Sequence, residues 1–450
     1  MSPAPRVVGI LAGAGSLPRE IAEHVRAGGG ALHIVSIASE EDRDLSDFPL
    51  TRVGWAQIGG MLRALRRAGV TDLVIVGAVR RPDISSLKPD LGALLNLPAI
   101  FRILRSAGDD NLLSRIVRFF EEKGFNVVSP VAVMPSLTVR EGPVGALRAT
   151  ANDMRDIALG FEVVRALGPF DIGQAVVVAD GRIEVIEGAE NTDAMLRRLI
   201  ERRASGHGAA APCKDEPGAQ RRGVLIKRPK PRQEMRVDLP TIGPDTVTRA
   251  VEAHLRGIAV LAGGAIALER PEMIRRADSA GIFVAGVADG ASGARATDAD
   301  SPPVAVPFAE VGKHKASAQQ RADAQKGAAV LAALRPFHES AGAVVDRGHV
   351  LAVECGEGAD GLIARASRLR QWGRRARGHR SAVAVIAVSP AETVGGIIDA
   401  AAAANLAGVA LVGVTAENVE THAKDAARHG LFVLAGNGEA ADNGHRGVAP

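Results

Sequence analysis

The feature that most constrains this chain is that part of it occurs twice. Residues 166–198 align without a gap with residues 333–365, at a shift of 167 positions, and eleven of the 33 pairs are identical. Ala166, Leu167, Pro169, Phe170, Val177, Val178, Gly181, Glu187, Glu190, Asp193 and Arg198 each recur. Later stretches rejoin with small gaps, Gly257-Ile258-Ala259 with Gly408-Val409-Ala410 and Gly281-Ile282-Phe283-Val284 with Gly430-Leu431-Phe432-Val433. Self-similarity over a hairpin and a helix in one register implies a duplicated structural unit. Coincidence between two Ala-rich α/β segments is the competing explanation, and it accounts poorly for ALGPF standing opposite ALRPF.

Upstream of the repeat, short apolar runs at 6–11, 32–37 and 72–76 alternate with helical patterns at 18–26 and 58–68, and a helix over 112–123 and a strand over 125–128 follow. Apolar runs between amphipathic helices indicate a parallel sheet covered on both faces. A Rossmann-like, doubly wound domain is therefore expected over 1–135. A second α/β domain is expected over 145–288, with a helix over 153–167, a hairpin with arms 175–178 and 183–186, a helix over 192–203, strands at 224–227 and 257–261, a helix over 245–255 and an insertion at 204–222. Residues 289–328, polar and small with Pro302, Pro303 and Pro307, read as a linker, and 329–440 as a degenerate repeat of the second domain. The expected fold class is α/β, with a third domain resembling the second.

Composition removes several function classes. The chain has no Tyr and 3% aromatic residues, which argues against base stacking and so against a nucleic-acid partner. No signal peptide and no apolar run long enough to span a bilayer are visible, so a cytoplasmic location is expected. Cys213 and Cys355 lie far apart and outside any CxxC, as free thiols would. Between Arg197 and Arg236 there are twelve Lys or Arg against four acids, an excess that favours an anionic partner such as phosphate or a membrane surface. A solvated basic loop explains the same charges.

Four constellations could carry chemistry. The turn Gly13-Ala14-Gly15-Ser16-Leu17-Pro18 follows a strand and opens a helix, where backbone N–H groups can meet a phosphate, yet Pro18 replaces the third glycine of a dinucleotide fingerprint. A tight turn without ligand fits equally well. The segment 227–244 (KRPKPRQEMRVDLPTIGP) is the strongest local signal: Lys227, Lys230 and Arg236 could clamp phosphate oxygens, and Asp238 is placed to orient a water or bind a metal. A rigid basic connector with an Arg236–Asp238 ion pair is the alternative. Glu190 and Asp193 could share a face and bind a divalent ion, or the region around Asn191 and Thr192 could simply cap a helix. Asp109 has the same two readings. No P-loop, zincin, nucleophile-elbow or two-metal phosphoesterase motif is present.

GILAGAGSLP at 9–18, GDDNLL at 108–113, DIGQA at 171–175, ENTDAML at 190–196 and the 227–244 segment occur in the order seen in the second type of UDP-2,3-diacylglucosamine diphosphatase. Over roughly residues 1–290 the chain resembles this family of lipid A synthesis, which is unrelated to the calcineurin-like phosphoesterases. The resemblance implies magnesium-dependent hydrolysis of UDP-2,3-diacylglucosamine to UMP and diacylglucosamine 1-phosphate, with the substrate between the two domains. It implies Asp238 as the catalytic acid, Gly13 and Ala14 bordering the substrate, and Gln174, Thr192, Asp193 and Lys227 contacting it. Gly77, at the end of the third strand, joins Lys230 and Arg236 as expected substrate neighbours, and charge alone nominates Glu190 and Asp109 for the metal. The family also implies a homodimer, and a basic face would hold the enzyme near an anionic inner leaflet, in peripheral contact with the inner membrane. The C-terminal copy keeps Glu354, Glu357 and Asp360 but has Ala341 and Ala359 opposite Gln174 and Thr192, so no second active site is expected there. Its arginines, Arg365, Arg368, Arg370, Arg374, Arg375, Arg377 and Arg380 around Trp372, could touch a membrane or partner, or form a solvated basic helix. The rival to an enzyme is a non-catalytic nucleotide-sugar-binding or regulatory protein.

Overall fold

Strands β1 (Val7–Ala12), β2 (Ala31–Ile37), β3 (Leu50–Val53), β4 (Asp72–Val76) and β5 (Asn126–Val127) form a fully parallel sheet in the order β3-β2-β1-β4-β5. Successive side chains point to opposite faces, and both faces are apolar. Ile10, Ile34, Val74 and Val76 pack with Ile21 and Ala22 of α1 (Leu17–Ala27). Leu11, Val35 and Leu73 pack on the other side with Met61, Leu62 and Leu65 of α2 (Ile58–Arg67) and with Val117 and Phe120 of α3 (Asp109–Glu122). Cover on both faces is why these strands read as unbroken apolar runs rather than as alternating ones. In this computed structural model residues 6–37, 44–78, 90, 109–204, 221–231, 233–289, 305–337, 342–369, 380–388 and 393–437 are described, the side chains of 109–111 excepted.

Beyond α4 (Pro130–Val133) the chain runs β6 (Gly142–Pro143), α5 (Ala151–Leu167), β7 (Ala175–Ala179), β8 (Arg182–Ile186), α6 (Thr192–Ala204), β9 (Val224–Lys227), β10 (Thr241–Ile242), α7 (Pro244–Glu252), β11 (Gly257–Leu261), β12 (Ile266–Ala267), α8 (Arg270–Ala280) and β13 (Phe283–Val287). It then runs β14 (Phe308–Val311), α9 (Ala318–Leu334), β15 (Gly342–Asp346), β16 (His349–Val353), α10 (Gly358–Leu369), β17 (Val383–Ala387), α11 (Val394–Ala403), β18 (Gly408–Val412), α12 (Ala416–Arg428) and β19 (Phe432–Gly436). Apart from the short strands β10 and β12, every element of the first run has a counterpart in the second. The last sheet has the order β14-β19-β18-β17-β15-β16.

The likeness extends to individual residues, and further upstream than the sequence alignment. α5 and α9 are both 17 residues long and both begin at a capping box, Thr150 with Asp153 and Ser317 with Gln320. Asp156 of α5 accepts the N–H groups of Asp180 (3.0 Å) and Gly181 (2.7 Å) at the first hairpin turn, and Asp323 of α9 accepts those of Arg347 (2.8 Å) and Gly348 (2.7 Å) at the second. Both hairpins carry a register shift at the same place, Val177/Val178 and Val344/Val345. β7 pairs antiparallel with β8 and β9, as β15 does with β16 and β17. A Cβ on Gly160 would fall 2.9 Å from Ile226, and one on Gly327 would fall 2.4 Å from Val385, so each long helix lies against its own sheet through a glycine. The third domain resembles the second.

The chain divides into two compact units. One comprises Met1–Arg148, Arg232–Thr248 and Val260–Ala288, and the other Ala149–Pro231, Arg249–Ala259 and Asp289–Pro450. Two stretches of the expected second domain thus group with the N-terminal sheet. The expected linker is corrected as well, because β14 and the first half of α9 lie within 289–328. The half of α9 inside that range buries Asp323, Ala324, Gly327 and Ala328, small and polar residues that carry no apolar period, while its large apolar residues Val330, Leu331 and Leu334 lie beyond 328. The insertion expected at 204–222 lies mostly outside the described residues.

Asp153 ties the start of α5 down twice, accepting from the Thr150 N–H (2.8 Å) and from the Arg256 guanidinium (2.8 Å), with its side chain 3% exposed. Burial pushes its carboxyl up, but the hydrogen bonds from Thr150 and Arg256 outweigh this and hold it below the ordinary carboxylate value. A carboxyl lowered in the folded state stabilises above its unfolded pKa, and that stability is lost as pH falls through the folded value. Asp153→Asn is expected to cost about 1–3 kcal/mol at neutral pH. In denaturant melts the gap from wild type should close as pH drops below the ordinary Asp range.

Candidate functional site

In the second unit the DIGQA turn is pressed onto the end of β8. A Cβ on Gly173 would lie 2.3 Å from the Glu187 carbonyl oxygen, so only glycine permits the approach. It brings the Gln174 N–H to 2.7 Å from Glu187 Oε2, while the Thr192 hydroxyl donates to Oε1 at 2.9 Å. Asn191 caps α6 through its Oδ1, which accepts the Ala194 N–H at 2.9 Å, and so releases Thr192 from that duty. Lys227 faces Ala175 across the antiparallel β7–β9 pair, and the Glu187 N–H donates to the Ala175 carbonyl, so the strand register sets Lys227 beside Glu187. Both side chains are buried. Burial pushes the Glu187 carboxyl up; Lys227, the Gln174 N–H, the Thr192 hydroxyl and Lys230 act in the opposite direction.

Lys230 pairs with Asp171, and Arg228 makes a two-pronged bond to Asp289 with both contacts at 2.8 Å. Four of the expected substrate residues, Gln174, Thr192, Lys227 and Lys230, are therefore gathered around two carboxylates, Glu187 and Asp171, that the motif reading did not assign. Asp193 stands exposed in the first turn of α6. The duplicate supplies an internal control. In the β15–β17 register Ile386 occupies the place of Lys227, and Ala359 that of Thr192. The sheet closes around an isoleucine there, so its packing does not require a buried lysine.

In the first unit Gly13, Ala14 and Gly77 come together. The N–H groups of Gly13 and Ala14 donate to the carbonyls of Val76 and Ala78 at 2.8 Å, and the Ala78 N–H returns a bond to Ala14. A Cβ on either Gly13 or Gly77 would strike the other turn's backbone within 3 Å. The phosphate-cradle reading is corrected at these two N–H groups, which are spent on the neighbouring loop. Asp238 is half-buried on a turn closed by its own N–H and that of Val237, both donated to the Glu234 carbonyl. Arg236 pairs with Glu234 through two contacts of 2.8 Å and with Glu121 at 2.6 Å, not with Asp238. The Glu234 hydrogen bond, then that of Glu121, raises its already high pKa against the opposing effect of burial.

With this geometry in hand, the chain can be set against known proteins. Residues 7–137 match the family model of the LpxI N-terminal domain, and residues 140–285 together with 307–392 match that of the LpxI C-terminal domain. This chain belongs to the LpxI family. The UDP-2,3-diacylglucosamine pyrophosphatase LpxI of Caulobacter vibrioides is 40% identical over 282 residues, which is 63% of this chain and 98% of that protein. Among solved structures, the CobK precorrin-6A reductase aligns over 64% of this chain and 90% of its own at 14% identity with a TM-score of 0.23, too low to bear on the fold.

Within this LpxI-family chain the residues nominated for the metal are Glu190 and Asp109. Glu190 is almost wholly buried and bonded to Arg198 at 2.6 Å, with Arg365 at 3.7 Å, so its charge is taken by two guanidiniums. The Asp109 side chain lies outside the described residues. Among the described residues no three His, Cys, Asp or Glu side chains gather as a metal site would need. The basic stretch is also less bare than its composition suggests: Arg198, Arg203, Arg222, Arg228, Lys230 and Arg236 all have carboxylate partners. Arg365, expected on a basic surface, is buried, while the core of that arginine run, 370–379, lies outside the described residues.

The internal control makes a prediction for Lys227. Lys227→Ile should leave the sheet folded, since the fold already accepts Ile at the equivalent place, at a cost of about 3–5 kcal/mol for stranding the buried Glu187 carboxylate. It should weaken UDP-sugar binding by about tenfold or more, as loss of one charge-assisted hydrogen bond does. Denaturant melts and titration calorimetry would separate the two effects.

Proposed function

We propose that this chain hydrolyses the diphosphate of UDP-2,3-diacylglucosamine, releasing UMP and 2,3-diacylglucosamine 1-phosphate. The observation that carries the reading is identity of 40% along 98% of a relative named for that activity, together with the LpxI C-terminal domain match over residues 140–285, a range that contains Asp238. A water oxygen bonds to one phosphorus, the bridging P–O bond breaks, and the departing phosphate keeps the electron pair. Such a reaction needs a positioned base, neutralisation of the phosphate oxygens and an exclusive fit to the substrate. Asp238, half-buried on its closed turn, is the group we assign to the attacking water. Lys227 and Lys230, with Gln174 and Thr192, are assigned to the anionic and polar parts of the substrate.

Magnesium is part of the proposal, and among the described residues no group of three His, Cys, Asp or Glu cages it. Magnesium ordinarily keeps several waters and takes one or two carboxylates together with substrate phosphates. Asp238 and the diphosphate itself would meet that demand. The acyl chains of the substrate would hold the enzyme at the cytoplasmic face of the inner membrane as a peripheral protein; among the described residues no helix is long and apolar enough to cross.

UMP release from UDP-2,3-diacylglucosamine by the purified full chain tests this. Wild type should release UMP, EDTA should stop it, and Asp238→Asn should lower kcat by about 10²–10⁴-fold, the span of a lost general base. Unchanged turnover in Asp238→Asn would remove Asp238 from the chemistry, and no turnover by wild type would overturn the enzyme reading.

A further inference from the structure

The two α/β copies in the second unit do not lie side by side by chance of connection; they meet through the same elements. α5 packs against α9, its counterpart. The junction between β8 and α6 meets the junction between β16 and α10. There the Ala189 N–H donates to the Leu351 carbonyl at 3.0 Å, Arg202 donates to the Cys355 carbonyl, and Ala189 packs on the apolar core of the third domain. A Cβ on Gly188 would fall 2.6 Å from the Leu351 carbonyl oxygen, so the two backbones touch.

The charges at this junction repeat in the same way. Arg198 binds the Ile186 carbonyl at 2.9 Å and Glu190 at 2.6 Å; Arg365, 167 positions later, binds the Val353 carbonyl at 2.7 Å and Glu357. The two networks are joined by Arg365 and Glu190, 3.7 Å apart, with side chains 5% and 6% exposed. A surface that contacts its own duplicate through matching elements is what a twofold, self-complementary interface between two identical domains looks like.

We infer that this face of the second domain, made of α5 and the Glu190–Arg198 junction, is a self-association surface fitted to a second copy of the same domain. In this chain the third domain occupies it. The Caulobacter vibrioides relative is covered over 98% of its own length by 282 residues, so a relative of this chain occurs without room for a further covalently attached copy. The chain is therefore an internal pseudo-dimer and is monomeric in solution, in place of the homodimer that the family resemblance implied. The inference stands on contacts and register and does not depend on the proposed activity.

Sedimentation equilibrium of the full chain over a hundredfold range of concentration is the test. A constant mass of 46.6 kDa is expected, and twice that mass would overturn the inference. Gly188→Val supplies the second arm. Gly188 does not sit at a positive φ, so a side chain there meets the third domain without straining its own backbone. The wedge should expose the face, speed amide exchange in α5 and α9, and make the mass rise with concentration toward a dimer. Faster exchange in both helices with a mass that stays at one chain would contradict a self-association surface.

Discussion

A buried carboxylate on a helix, holding the turn of a β-hairpin, is the contact on which both repeats depend. Asp156 and Asp323 each accept two turn N–H groups, and in each copy the residue donating the first of them sits at positive φ. Leaving those buried carboxylates without partners would cost more than the bonds themselves contribute. Burial raises the Asp156 carboxyl, with the charges of Asp180 and Asp153 acting the same way, and only the Gly181 and Asp180 N–H groups oppose it. Once the hairpin is pinned, the end of β8 is fixed, and Glu187 with it. Glu187 in turn fixes Gln174 and Thr192, so the candidate binding residues follow from a fold-level contact several residues away.

Duplication then separates what the fold needs from what the site needs. Glu354 keeps the place of Glu187 but accepts the N–H groups of Gly356 and Gly358, so a carboxylate at this junction serves the backbone in either copy. Ile386 and Ala359 stand in the places of Lys227 and Thr192 in the copy, where sheet and helix form without them, whereas in the second domain both offset the burial of Glu187. The third domain has kept the architecture and the interdomain charge network while carrying Ile386 and Ala359 in place of Lys227 and Thr192.

Much of the fold was legible because its signals are local. Strands 72–76, 224–227 and 257–261 stand where the apolar runs placed them, and the DIGQA, ENTDAML and RVDLPTIG stretches pointed to the family. The first half of α9 was hidden because alanine, glycine and a buried aspartate make no apolar period, and β3 because four residues with Arg52 exposed are too short a run. The partners of the charges were not legible at all. Which carboxylate meets Arg236, or that Glu190 belongs to Arg198 and Arg365, depends on residues far apart in sequence whose meeting only the packed elements decide. Charge spacing nominated Glu190 for a metal, and tertiary pairing gave it to two arginines.

With Ile386 and Ala359 in the third domain, the chain is expected to hold one substrate molecule. Titration of the full chain with a non-hydrolysable UDP-2,3-diacylglucosamine analogue in a calorimeter measures this. Saturation is expected at one ligand per chain. Saturation at two would show that the third domain, despite Ile386 and Ala359, retains a binding site of its own.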